Sequence, residues 1–235
     1  MFSSLNIEKI LFLDIETVPM VPEYEQLPDP FKKLWDRKAS QLSRTSEETP
    51  EQLFGRSGIY AEFGKIICIS VGYVYNREFR IKSFYGEDEL ELLKEFAGML
   101  NRFYSHRDQL LCAHNGKEFD FPYIARRMLI NGIKLPHILN IAGKKPWEIA
   151  HLDTMELWKF GDFKNYTSLE LLAAVFGIPT PKDDIDGSQV ASVFYQENDL
   201  ERIVQYCQRD TLTVAQLLMC YLGNPMIKED DIIYA

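Results

Sequence analysis

Four acids in this chain sit where packing alone gives no reason for them. Residues 11–18 read LFLDIETV, an apolar run interrupted by Asp14 and Glu16. Side chains alternate along a strand, so these two carboxylates share one face, with Cα atoms about 6.5–7 Å apart. That spacing lets them share one ion. Near the carboxyl end, Leu200, Ile203, Cys207, Val214, Leu218 and Tyr221 recur by threes and fours, and Asp210 falls on the same helical stripe. An acid on the core side of a helix needs a partner. Tyr206 stands one turn before it. The fourth acid is Asp120, in HNGKEFDFPYI, after an apolar segment that reads as a neighbouring strand.

Each acid also has an ordinary explanation. Asp14 and Glu16 fit a strand that has reached solvent. Asp210 fits a salt bridge to Arg126, Arg127 or Arg209, and Asp120, two residues before Pro122, fits a helix N-cap. Taken together they point elsewhere. Four carboxylates from distant parts of the chain, with no Lys or Arg inside the first motif, form a hard oxygen donor set suited to Mg²⁺ or Mn²⁺. Two divalent ions would offset four negative charges, and paired ions serve phosphoryl displacement.

The elements that must position these acids follow from hydrophobic periodicity. Residues 9–18 form a strand apolar on both faces, as a central strand is. Residues 65–75 and 78–86 read as an antiparallel hairpin closed by Asn76-Arg77. Residues 87–104 form an amphipathic helix, QLLCAHNG a fourth strand and turn, and FPYIARRMLING a helix ended by Gly132. IAHLDTMELW holds a short fifth strand. Thr167 to Glu170 reads as a capping box before another helix, and the last helix spans about 199–222. Residues 20–62 break this order. Asp29 caps a helix there with Pro30 at its first position, and TPEQ at 49–52 starts a second. This segment is expected as an insertion packed on a single domain spanning 1–235, with 223–235 as a C-terminal tail. The fold class is α/β, a mixed sheet with helices on both faces.

Composition sets the frame. The chain has 235 residues with 46% hydrophobic and 26% charged, enough for a sizeable core. With 26 Lys+Arg against 35 Asp+Glu the formal charge is −9, which disfavours broad electrostatic binding of nucleic acid but not a local grip through bound cations. Cys68, Cys112, Cys207 and Cys220 form no CxxC pair and are expected as buried thiols in a reducing compartment. With no leader pattern and no apolar run long enough for a membrane helix, the expectation is a cytoplasmic protein without membrane association.

The motifs DIET (14–17), NGKEFD (115–120) and YCQRD (206–210) resemble, in order and spacing, the three exonuclease motifs of the DEDD superfamily. The Y-x-x-x-D spacing resembles its tyrosine-containing branch, DEDDy. The likeness is to a group of 3′–5′ exonucleases related to the proofreading domain of family B DNA polymerases, and it spans roughly residues 9–222. It implies an RNase H-like fold with a five-stranded mixed sheet whose second strand is antiparallel. It also implies a nuclease acting on nucleic-acid 3′ ends, single-stranded DNA first and RNA as the alternative, in a setting such as DNA repair. An inactive nucleic-acid-binding module of the same fold is the rival of another class. By motif position, Asp14, Glu16, Asp120 and Asp210 would hold two Mg²⁺ or Mn²⁺ ions. Tyr206 would orient the nucleophile, and Thr17, Asn115 and Phe119 would meet the 3′-terminal nucleotides.

Other residues draw structural expectations. Trp35 and Phe54 are expected in a core, His114 as a local hydrogen bonder and Asp153 as structural support. Lys117, Lys159, Lys164 and Arg209 are candidates for phosphate contact, with solvated surface as the default.

Overall fold

The computed structural model describes residues 5–43, 48–162, 164, 166–179 and 185–235. Its centre is a sheet ordered β5-β4-β1-β2-β3-β6. Strand β1 (Ile10–Pro19) is the central member. It pairs antiparallel with β2 (Gly64–Tyr75), which pairs antiparallel with β3 (Glu78–Tyr85). On its other side β1 runs parallel to β4 (Leu110–Ala113), and β4 to β5 (Leu152–Asp153). Only β2 opposes the rest. The carboxyl ends of β1, β4 and β5 therefore lie at one edge, where α/β sheets gather functional groups.

The sheet has six strands, not the five expected. Residues Ile232–Tyr234, in the segment read as a tail, form β6 and pair parallel with β3 at Phe79–Ile81. A three-residue strand lacks the length to show a period, so its partner defines it. The hairpin is as expected: Asn76 and Arg77 both have positive φ, 51° and 69°, the signature of a two-residue turn that matches strand twist.

Helices cover both faces. Leu11, Leu13 and Ile15 of β1 pack toward α3 (Glu89–Phe103) and α4 (Asp120–Ile130). Ile10 and Phe12 face α8 (Leu200–Leu222) through Val214, Ala215 and Leu218. Helix α5 (Thr154–Lys159) follows β5, and α6 (Leu169–Phe176) packs on α8. The N-cap of α6 is Ser168, which accepts from Leu171 N at 3.3 Å, one residue later than the Thr167 expected. A short helix α7 (Val190–Ser192) continues into a π turn at Val193–Glu197.

The insertion carries α1 (Asp29–Leu42) and α2 (Pro50–Phe54). Asp29 is the first residue of α1 and not its cap, which falls on Pro28. The capping box at α2 is present, Thr49 N donating to Gln52 Oε1 at 2.8 Å and Gln52 N to Thr49 Oγ1 at 3.4 Å. Trp35 and Phe54 are buried in a small core of their own, with ring centroids 5.7 Å apart, so both serve packing. Among the described residues, no helix is long and apolar enough to cross a membrane.

Candidate active site

Asp14 and Glu16 share the parity of Ile10 and Phe12, so their side chains face α8. The pairing of β1 with β2 shifts register between Glu16 and Thr17, where Glu16 lies opposite Cys68 and Thr17 opposite Ile66. Such irregularities re-aim side chains beside functional sites. Across the gap, α8 presents Tyr206, Cys207 and Asp210. Ligand atoms of Asp14, Glu16 and Cys207 all lie within 4.8 Å of one another. The Cys207 thiol donates to the main-chain oxygen of Asp14 at 3.3 Å. The Tyr206 hydroxyl is hydrogen-bonded to Asp210, one turn on.

Asp120 arrives from the other flank. It is buried and opens α4 as its first residue, while Phe119 holds the cap position without a side-chain hydrogen bond. The ordinary alternative of an N-cap therefore does not hold. Strand β4 pairs with β1 only as far as Phe12, opposite Cys112. Among the described residues no strand pairs with β1 beyond it on that side, and the Ile15 backbone lies near enough to Asp120 to favour its ionised form in part. The turn before Asp120 is held by Asp153, whose carboxylate accepts from Asn115 N and Lys117 N, each at 3.0 Å, and caps α5 at Met155 N. Asn115 takes positive φ, 62°, which Asn tolerates. Gly116 is required for space, since a Cβ there would lie 2.4 Å from that of Ala113. His114 bridges Thr154 Oγ1 at 2.8 Å and Thr167 O at 2.9 Å, a local hydrogen bonder as expected.

The electrostatics are those of buried carboxylates held close to one another. Burial raises the Asp14 carboxyl well above the ordinary range, and Glu16, Asp210 and Asp120 push it further. Burial does the same to Glu16, followed by Asp210. Asp120 is pushed up to about 8, chiefly by burial. Burial and the neighbouring carboxylates also raise the Tyr206 phenol, which stays protonated. Asp14 Oδ2 is buried without a hydrogen-bond partner. A buried carboxylate oxygen in that state costs free energy unless it protonates or takes a cation. The oxygen donor set and this orphaned atom fit a hard divalent ion. Of the arginines considered as partners for Asp210, Arg127 is committed to Glu89, with Nε at 2.8 Å.

Thr17 and Phe119 line a cleft that reaches the cluster at Glu16, whereas Asn115 does not. None of Lys117, Lys159, Lys164 and Arg209 lines it. Lys117 pairs with Glu156 at 2.6 Å, and Lys159 lies 4.2 Å from the ring centre of Tyr166. Sequence reasoning missed the Cys207 thiol as a member of the cluster, although its place directly after Tyr206 on the buried stripe marks it. It also missed the cleft wall at Arg56 and Ile59.

Residues 59–228 match a family described as "Predicted 3'-5' exonuclease related to the exonuclease domain of PolB". The chain belongs to that family. The matched span holds Asp120, Tyr206 and Asp210 and begins after the strand that carries Asp14 and Glu16. The exonuclease family member described here is also similar in structure to the family B DNA polymerase from the hyperthermophilic archaeon Pyrobaculum calidifontis. The TM-score is 0.53 at 18% identity, over 89% of this chain and 24% of the polymerase. At that identity the likeness concerns the fold, which is RNase H-like.

Proposed function

We propose that this protein is a metal-dependent 3′–5′ exonuclease of the DEDDy type, acting on single-stranded DNA ends. The observation that supports this reading is Asp14, whose Oδ2 is buried and unpartnered and on which Glu16, Asp210 and Asp120 all act. Those four residues would hold two Mg²⁺ or Mn²⁺ ions. Such ions, when bound, lower the pKa of water and offset charge on a phosphodiester. Tyr206 is protonated and so acts as a hydrogen-bonding orienter of the attacking water, not as a base. Phe119 and Thr17, on the cleft, are placed to meet the terminal nucleotides. Cys68, Cys112, Cys207 and Cys220 are all free thiols, which supports a reducing compartment such as the cytoplasm.

A time course with Mn²⁺ on oligonucleotides labelled at either end tests this. Stepwise shortening of the 5′-labelled strand, with the 3′ label released as a mononucleotide, is expected, and excess EDTA should abolish it. Undiminished cleavage in EDTA rules out the metal mechanism. Matched DNA and RNA oligomers separate DNA from RNA as the preferred strand. Binding without cleavage of either would leave an inactive module.

A further inference from the structure

The acidic cluster opens at Glu16 into a cleft of about 1100 Å³. Pockets for single drug-sized ligands hold roughly 300–1,000 Å³, so this one has room for more than a mononucleotide. Its floor is the end of β1. The insertion forms one wall, with Pro22, Arg56 and Ile59, and the segment around α7 forms the other, with Ala191 and Tyr195. Phe119 closes the side nearest Asp120.

Both walls are tied to the core. Tyr123 Oη donates to Gly58 O at 2.6 Å, Arg127 Nη1 to Ala61 O at 2.8 Å, and Met20 N to Phe63 O at 2.8 Å. Gly58 lies so close to β1 that a Cβ there would come within 2.9 Å of the Val18 carbonyl carbon. Opposite, Tyr195 Oη donates to Pro19 O at 2.6 Å. The cleft is thus set before any ligand enters, which lowers the entropic cost of binding.

Its chemistry is mostly apolar. Among the described residues on its walls, Arg56 is the one cationic side chain. Its side chain is 68% exposed, and one of its nitrogens meets Glu48 at 3.2 Å. A guanidinium carries five N–H donors, so this contact leaves capacity for a phosphate. Ile59 nearby is 55% exposed and presents an apolar surface to the cleft.

We propose that Arg56 and Ile59, on the insertion's wall of the cleft, hold the substrate strand outside the acidic cluster, Ile59 against a base and Arg56 on the phosphodiester backbone. The proposal rests on the exonuclease reading. Affinity then comes mainly from base contact, with one phosphate gripped, so binding depends on strand length more than on salt.

Arg56→Ala and Ile59→Ser, compared with wild type on a decathymidylate and on the p-nitrophenyl ester of thymidine 5′-phosphate, test this. The ester reports the chemistry without filling the cleft. Each variant should raise KM for the decamer about tenfold at similar kcat, the scale of one charge-assisted hydrogen bond for Arg56 and of one buried aliphatic contact for Ile59. The ester should be unaffected. Arg56→Ala should also lower the salt slope of decamer KM by about 0.7. Equal shifts on both substrates, or none on the decamer, overturn the proposal. If wild type cleaves neither substrate, the exonuclease reading fails by itself. Fluorescence anisotropy with a labelled decamer and Mn²⁺ then decides the cleft: tighter binding by wild type than by Arg56→Ala supports it, and equal or absent binding overturns it.

Discussion

Two groups of buried charge lie on the two sides of this sheet, and they are built on opposite rules. On the α3–α4 side, Glu89 accepts from Arg127 Nε at 2.8 Å, Arg127 Nη2 at 2.5 Å, Ile66 N at 2.7 Å and Asn131 Nδ2 at 2.9 Å. Arg127 spends its remaining nitrogen on Ala61 O. Every charge there has its answer. On the α8 side, the charges that reach Asp14 come from Glu16, Asp210 and Asp120, all of one sign. Burial alone therefore does not mark a functional site. What separates the two is the sign of the neighbours: opposite charges meet at Glu89, like charges at Asp14.

The largest effect expected from breaking the first group is on stability. Glu89→Ala strands a buried guanidinium and should cost about 3–5 kcal/mol in urea unfolding, while activity per folded molecule stays near wild type. The pair replacement Glu89→Leu with Arg127→Met should cost far less, because no charge is left behind. The second group should respond in the reverse sense. Asp14→Asn should reduce cleavage on the order of 10³-fold yet change metal-free stability by only about 1 kcal/mol. It should also lose the stabilisation expected of Mn²⁺ on wild type, about 2.7 kcal/mol at a hundred times Kd. An Asp14 variant that unfolds like Glu89→Ala would erase the distinction.

Tyr206→Phe sharpens the contrast within the second group. It keeps the ring and removes only the hydroxyl, so Mn²⁺ and oligonucleotide binding should persist while the rate falls about 10²-fold. A rate within about twofold of wild type would make Tyr206 a packing residue and remove the DEDDy mechanism.

The effect on pH dependence is small per pH unit and accumulates over the range. The folded state holds the Asp120 proton up to about 8, well above its ordinary value of 3.8. Between those values the folded protein binds more protons than the unfolded chain, so metal-free stability falls as pH rises, by up to about 1.4 kcal/mol per pH unit for each such group. Calorimetry from pH 4 to 8 should show this decline. Mn²⁺ and Asp120→Asn should each flatten it.

Much of the site was legible in the sequence because it rests on periodicity. The two-residue spacing of Asp14 and Glu16 and the stripe that carries Asp210 each fix a face without any tertiary information. Their meeting did not follow from either pattern; it depends on β1 and α8 packing together. Local pattern alone made a cap the ordinary reading of Asp120, because it weighs neighbouring residues, whereas Ile15, which the fold brings near, lies about a hundred residues earlier. The partnership of Glu89 with Arg127 was equally hidden, since two charged residues 38 positions apart carry no period. β6 was missed because three residues are too few to alternate. The insertion was visible as an interruption, but its function as a wall depends on close approach at Gly58, which only coordinates reveal.

Strand β4 stops at Ala113, and that early stop leaves room beside Ile15 for Asp120. The carboxylate takes a place that another strand residue would otherwise fill. Its position is therefore measured from the sheet, by the count of residues between Ala113 and Asp120, and not from the helix it begins. Along this stretch, length is under tighter constraint than identity: many side chains could stand at Lys117 or Glu118, but one residue more or fewer would carry the acid past its rung.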